Sequence, residues 1–579
     1  MILEIDDLLN SNTWDLLPNP INNKNINNIK IIKGRWVLSK KYNLDNTIKK
    51  YKARWVAKGF QQQYNINYKE TFASTSKPSI IRLLLSIFNY LDWEIYTWDI
   101  KQAFPNADLD NNNTYIQLPI GLEDYILNKN NNPNLTKIIK ETIKSKDYNK
   151  IICRLNKSLY GLKQASRQWQ LFLSKILDNL DFIPLKIDNS VFLYKTKSII
   201  LATHIDDILV FAKDLNLINT LYKDISNTSK LQITNLGEIK EFLGVEIIRN
   251  RSNRSLIITQ RSFITKIINK FNKINNKPKN IPLPIGIKLS KNLEQSYNKD
   301  INLFQQEIGS LIYLTIFTRP DLAYSINYLA RFMSNPNQDH YNYLNNIWSY
   351  LLKTKNYGLD LSLNPKNQSE NINNIIDINQ IYNIKYINNI KNNPNYNSNL
   401  NKTINLIGVS DSDWGGDLDS RKSTTGNIFL LSNNKNNTGI NIAISWISKL
   451  QKTIALSSAE AEYMALKEAT KESIYLQNFI KELFYNNNYN NNYNLFNKIN
   501  IIKTDSLSAI ELAKNPIYHA RTKHVDITYH FVRENLLENK IDLVYENTST
   551  ILADNLTKPT SLPKFIDYKS RIGLINISN

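Results

Sequence analysis

The sequence predicts an α+β chain of several domains. Three observations carry that reading. Leu201-Ala-Thr-His-Ile-Asp-Asp-Ile-Leu-Val-Phe211 sets two acids between two apolar runs, the pattern of strand, tight turn, strand. Ser79 to Leu91 carries Ile80, Leu83, Leu84, Ile87 and Phe88 at helical spacing, a core-facing helix. A chain of 579 residues is too long for a single core.

The acid pair is the centre of the reading. Asp206 and Asp207 would stand side by side at a hairpin tip. Adjacent like charges are costly unless a cation joins them. Mg²⁺ accepts carboxylate oxygens and keeps coordination sites for phosphate. From this stretch alone, an ordinary Asp-Asp turn is an equal reading.

Composition narrows the function classes. The formal charge of +21 and pI of about 9.4 point to a polyanion partner, with nucleic acid first. An Asn-, Ile- and Lys-rich composition set by codon bias accounts for part of that excess. The single cysteine, Cys153, excludes an intrachain disulfide and suggests a reducing, intracellular setting. Glu4, Asp6 and Asp7 break any signal-peptide pattern. No apolar run approaches the roughly 20 residues of a membrane span.

Taken in order, residues 1–29 form a lead-in that ends Asn-rich. Gly34 to Tyr42 and Tyr51 to Phe60 read as a hairpin bearing Lys40, Lys41, Lys49, Lys50, Lys52, Arg54 and Lys58, anchored by Trp36, Trp55 and Phe60. Basic groups interleaved with aromatics suit a triphosphate or a nucleic-acid backbone. After the helix at 79–91 a strand places Ile95, Thr97 and Asp99 on one face. An acid there needs a partner. The metal at Asp206 and Asp207 would serve, and a helix-capping role is the alternative. Residues 128–150 read as a mobile insertion. The stretch from Cys153 to Trp169 opens a helix expected to reach Leu180, with its N-terminus and lysines available to phosphate.

Nine stretches, in order along residues 14 to 574, resemble the reverse transcriptase and ribonuclease H part of a copia-type LTR retrotransposon Pol polyprotein. They include Lys52-Ala-Arg-Trp-Val-Ala-Lys-Gly-Phe60, Asp99-Ile-Lys-Gln-Ala-Phe104, Ser158-Leu-Tyr-Gly-Leu-Lys-Gln-Ala165, Ile205-Asp-Asp-Ile208 and Phe242-Leu-Gly-Val-Glu-Ile247. The rest are Arg319-Pro-Asp-Leu-Ala323, Ser410-Asp-Ser-Asp-Trp-Gly415, Leu456-Ser-Ser-Ala-Glu-Ala-Glu-Tyr463 and Arg521-Thr-Lys-His-Val-Asp526. So many motifs in order make the resemblance very specific.

The resemblance implies a right-hand polymerase followed by an α/β ribonuclease H-like domain. Residues 30–250 would be fingers and palm, 251–364 thumb and connection, 365–403 an Asn-rich disordered linker and 404–579 the nuclease. Asp99, Asp206 and Asp207 would hold two Mg²⁺ (or Mn²⁺) in the palm. Lys41, Arg54 and Tyr160 would contact the incoming nucleotide, Phe104 would be the gate against ribonucleotides, and Phe242 to Ile247 the primer grip. Leu256 to Phe271 would be the thumb helix, and Ile308 to Met333 a helical connection broken at Thr318-Arg-Pro320.

The last domain reads as strands at Leu406, Thr425–Leu431, Ala443–Trp446 and Lys503, with helices from Ser457 and Ile551. Asp411, Glu462, Asp505 and Asp554 would hold two further metals, with Asp413 and Glu460 as close competitors for the first two places. His519, His524 and His530 have no cysteine beside them and do not suggest zinc.

The implied activity is RNA- and DNA-directed DNA synthesis with RNA–DNA hybrid cleavage. Its partners would be an RNA template, a DNA primer, the hybrid, deoxynucleoside triphosphates and other Pol and capsid products. Its place would be a cytoplasmic virus-like particle, with nuclear entry open to it. Three sites depart from the family: His204 stands for Tyr, Pro105 and Ala107 for Leu and Gly, and Ser166 for Pro. His204 and Pro105 favour the alternative of a decayed or co-opted element product that binds nucleic acid without polymerase activity. The seven retained carboxylates oppose it.

Overall fold

A computed structural model describes residues 1–18, 31–42, 47–110, 114–122, 151–195, 198–229, 231–292, 300–363, 404–433, 441–484, 496, 500–514 and 523–577. The expected insertion at 128–150 and the linker at 365–403 lie outside these residues, as does His519. The chain divides into two compact units. One is Met1–Ser76 with Tyr96–Gly237, the other Lys77–Ile95 with Glu238–Asn579.

The first unit contains a six-stranded sheet. Its strands, in spatial order, are Ile233–Glu238, Glu94–Ile100, Asp207–Ala212, Ile199–His204, Val191–Tyr194 and Phe182–Pro184. The two strands flanking the acid pair run antiparallel, from Ile199 opposite Ala212 to His204 opposite Asp207. They are apolar on both faces, because helices Ala165–Asp178 and Leu215–Ser229 help enclose them. Trp98, Trp169, Leu173, Phe192, Leu201, Val210 and Leu221 belong to one core.

A second core in this unit gathers Ile5, Leu8, Trp14, Trp55, Ile116 and Cys153 under helix Ile2–Asn10. Above it stands the basic hairpin, Gly34–Tyr42 paired with Ile48–Ala57. Gly161 makes the approach to that hairpin possible. Its φ of +87° suits glycine, and a Cβ there would lie 2.2 Å from the Ala57 carbonyl oxygen. The helix expected from the Cys153 stretch begins only at Ala165, since Ile151–Leu155 is a strand.

The second unit holds two five-stranded sheets. In one, Ser255–Thr259 pairs with Val245–Asn250 on one side and Tyr357–Asp360 on the other. Strand Leu574–Asn576 then closes the far edge against Tyr357–Asp360. The thumb helix expected over 256–271 is therefore a strand followed by helix Arg261–Lys270. Alternation decides this: Leu256 and Ile258 are buried with a less buried residue between them. Pro320 breaks the connection as expected, between helices Ile301–Phe317 and Ala323–Ala330.

The other sheet runs Asn441–Leu450, Thr424–Ser432, Asn405–Ser412, Asn500–Thr504 and Ile541–Tyr545. Its first three strands are antiparallel and the last two join in parallel. Three meander strands followed by crossover strands are the arrangement of a ribonuclease H-like domain. Helix Ser458–Phe484 packs against its central strands. Helix Pro78–Tyr90 belongs to this unit too. Buried Arg82 donates from Nε to the Ile444 carbonyl at 2.7 Å and lies 3.9 Å from the Trp446 ring centroid. Leu552–Leu556 is a 3₁₀ turn rather than the start of the last helix, which begins at Leu562, beyond Pro559.

Candidate active sites

In the first unit, sheet order does the assembling. The strand ending beyond Asp99 neighbours the strand that begins at Asp207. The Ile100 N–H donates to the Asp206 carbonyl oxygen at 2.9 Å, so the three acids lie at the same end of two adjacent strands. Arg54 reaches over from the basic hairpin. Its Nη2 lies 3.9 Å from Asp206 Oδ2, and its guanidinium sits 4.8 Å from the Tyr160 ring centroid. Burial pushes the Tyr160 hydroxyl up to about 12, so it is a neutral hydrogen-bonding group.

Phe104 meets Tyr160 edge to face, with ring centroids 5.2 Å apart. Phe104, Tyr160, Arg54 and Asp206 therefore form a continuous chain of contacts. Phe104 lies in the short helix Ala103–Asn106, which also takes Pro105 in its first turn, where no intrahelical donor is needed. His204 pairs with Asp207 across the turn, and burial lowers its pKa below the ordinary imidazole value. Lys41 stands on the hairpin opposite Lys50.

In the second unit, three acids from three elements converge. One carboxylate oxygen each from Asp411, Glu462 and Asp505 lies within 4.8 Å of the others. Among the described residues this is the one such acid group; Asp99, Asp206 and Asp207 are not drawn together so closely. Asp411 sits on the central strand, Glu462 in the first turns of helix Ser458–Phe484, and Asp505 just past a parallel strand. The Ser412 N–H donates to Glu462 Oε1 at 3.2 Å, and the Thr557 hydroxyl to Asp411 Oδ2 at 2.5 Å.

Burial, and then Asp554, pushes the Asp411 carboxyl well above the usual carboxylate range. Burial, then Asp411 and Asp505, pushes Glu462 to about 9. Glu462 Oε2 is buried without a hydrogen-bond partner. Crowded carboxylates with an orphaned oxygen are a donor set that fits a hard divalent cation.

The competing acids are committed elsewhere. Asp413 accepts from the Thr424 N–H, and Glu460 Oε2 from the Leu456 N–H at the helix start. Asp554 is not part of the close group. Lys558 lies 2.7 Å from its Oδ1 and Lys564 2.5 Å from its Oδ2.

A family model described as reverse transcriptase (RNA-dependent DNA polymerase) matches residues 11–285. A retrovirus-related Pol polyprotein from transposon TNT 1-94 of Nicotiana tabacum is 32% identical over 99% of this chain. Residues 11–285 thus match the reverse transcriptase family, and nearly the whole chain is similar to Pol polyproteins of plant copia-type transposons. The Pol polyprotein from transposon RE1 of Arabidopsis thaliana is 31% identical, again over 99% of this chain. The chain spans 37% and 33% of these two proteins, about a third of their length. Among solved structures, a foamy viral protease-reverse transcriptase in complex with double-stranded DNA is 12% identical. It covers 94% of this chain and 68% of that chain, with a TM-score of 0.45.

Within this family reading, the expected primer grip is a tight turn between Glu241–Phe242 and Val245–Asn250, with Leu243 and Gly244 at positive φ. The Tyr313 hydroxyl donates to the Leu243 carbonyl and fixes that turn. Sequence reasoning missed Tyr313, the Arg54 contact to Asp206, and the lysines on Asp554. Only Lys558 left a signal, four residues after an acid.

Proposed function

We propose that the chain copies RNA and DNA templates into DNA from a primer at the acids of the first unit, and cuts the RNA strand of an RNA–DNA hybrid at the acids of the second. The observation that carries this is the pair of acid groups: Asp99, Asp206 and Asp207 at the same end of two adjacent strands, and Asp411, Glu462 and Asp505 within 4.8 Å. Asp99, Asp206 and Asp207 would hold two Mg²⁺ (or Mn²⁺) ions, and Asp411, Glu462, Asp505 and Asp554 two more. Such ions lower the pKa of an attacking hydroxyl or water and offset phosphoryl charge.

The side chains do the rest. Arg54 faces Asp206 and would grip the triphosphate, and Lys41, on the same hairpin, would contact the incoming nucleotide. Phe104, braced by Tyr160, would crowd a ribose 2′-hydroxyl. Lys558 and Lys564 would hold Asp554 in place and screen its charge. The partners are an RNA template, a DNA primer, deoxynucleoside triphosphates and the hybrid. Assembly with other Pol and capsid products in a cytoplasmic particle, with nuclear entry, fits the same reading. The polymerase would be residues 30–364 and the nuclease 404–579.

Purified chain is tested on a primed RNA template and on a labelled hybrid, each with Mg²⁺. Extension and RNA-strand cleavage are expected. Tight nucleic-acid binding with neither reaction would establish the decayed, binding-only alternative that His204 and Pro105 favour.

A further inference from the structure

The turn that carries Asp206 is built from the wrong residues for a free-standing turn. It links His204 to Asp207 through only Ile205 and Asp206. Two-residue hairpins need a positive φ at the first central position and take Gly, Asn or Asp there. Ile205 has φ +59°. A β-branched residue there is strained, and it persists only where the surroundings over-determine it.

Two hydrogen bonds do so. The Ile100 N–H fixes the Asp206 carbonyl at 2.9 Å. The Trp169 indole N–H donates to the Ile205 carbonyl oxygen at 2.6 Å. Trp169 is 2% exposed. It shares the buried face of helix Ala165–Asp178 with Ala165, Leu173 and Ile176, so the indole has little freedom to move. A packed aromatic needs no N–H in a core; this one spends it on the strained peptide.

We propose that Trp169 is a positioning residue for the polymerase site: its indole N–H holds the Ile205–Asp206 peptide so that the Asp206 carboxylate is aimed alongside Asp99. Trp169 touches no reacting atom. The inference rests on the polymerase reading for its effect on rate, but not for the hydrogen bond or the strain it offsets.

Two replacements remove the donor. Trp169→Phe keeps an aromatic ring. The benzothiophene analogue of tryptophan, placed at 169, keeps the bicyclic shape and so guards against a packing defect. Each is made alone and with Ile205→Gly, which relieves the strain. All are followed by primer extension and by urea unfolding. Losing the donor should cut kcat for extension about 10- to 100-fold, the range for groups that orient catalytic ligands. KM for the nucleotide should stay within about twofold, and hybrid cleavage should be unchanged. With Gly at 205 the same replacement should cost much less in kcat and less in urea midpoint, a non-additive cycle.

Unchanged extension with the benzothiophene analogue would overturn the proposal. So would equal losses in both backgrounds, which would make Trp169 core packing alone. If the parent itself does not extend primers, the polymerase reading falls separately. The urea cycle then decides: non-additivity supports the indole's hold on the turn, and additivity overturns it.

Discussion

The Lys558 ammonium lies 2.7 Å from Asp554 Oδ1, at the border of the Asp411, Glu462 and Asp505 cluster. Asp411, Asp554 and Asp505 in turn hold Lys558 above the ordinary lysine value, so it is charged at neutral pH. A fixed positive charge beside a cation site competes with the cation. Lys558→Met should therefore lower the Mg²⁺ concentration for half-maximal hybrid cleavage. Lys558 is about half exposed, so the effect is that of a partly screened pair, about two- to fivefold. A Mg²⁺ titration of cleavage rate checks it; a higher requirement would mean Lys558 positions Asp554 more than it competes.

Asp206→Asn and Asp505→Asn separate the two acid assemblies. Each removes one charge without changing shape. Asp206→Asn should abolish primer extension and leave hybrid cleavage intact, and Asp505→Asn should do the reverse. Gel assays of both reactions on both variants decide. Loss of both reactions in either variant would refute two independent sites.

Phe104→Ala should admit ribonucleotides. The Phe104 ring packs edge to face on Tyr160, a contact it would lose by swinging aside from a 2′-hydroxyl. Removing a clash of about 2 to 4 kcal/mol corresponds to a roughly 30- to 1,000-fold loss of discrimination. Competing deoxy- and ribonucleotide incorporation measures it. Unchanged discrimination would leave Phe104 as a core aromatic.

His340 should make the second unit sensitive to acid. Its ring stacks on Phe332 at 4.0 Å between centroids, and its Nδ1 accepts the Asn337 N–H at 2.8 Å in a capping box. A protonated Nδ1 cannot accept that bond. Burial, offset in part by Asp339 and Asp419, lowers His340 to about 4. An unfolded histidine titrates near 6.5. The unfolded chain thus binds the proton more tightly, so this stabilisation is fully present above about pH 6.5 and is lost as pH falls toward 4. The loss is at most about 3 kcal/mol. Comparing urea midpoints of parent and His340→Gln at pH 7.5 and 5 isolates it; parallel curves would exclude His340.

What was legible in the sequence was what repeats at short range. Apolar runs around Asp206 and Asp207 specify a hairpin whatever lies beyond them. Ile80, Leu83, Leu84, Ile87 and Phe88 mark a helix in the same way. Arg82, on that helix, was illegible: a charged side chain reads as solvent-facing until a distant carbonyl, Ile444, comes to meet it. Leu256 to Ile264 misled because its apolar residues satisfy both periods, and strand partners at 357–360 chose between them. Asp411 and Glu462 carry the motif, but Asp413 and Glu460 share it, and only the fold shows that the first two, not their rivals, converge with Asp505. Trp169 could not be read at all, since its role depends on the backbone angle of Ile205.

The pairing of Leu574–Asn576 with Tyr357–Asp360 bears on how such a chain can decay. More than two hundred residues separate the partners, so the ribosome must pass residue 576 before that sheet can close. A stop codon before residue 574 would strip that strand and bare a row of unpaired backbone groups along 357–360. Such edges recruit other chains. Truncation between residues 360 and 574 should thus produce sticky, quickly degraded polypeptides. A long-lived binding-only descendant would have to arise by substitution within a frame that still reads through residue 576.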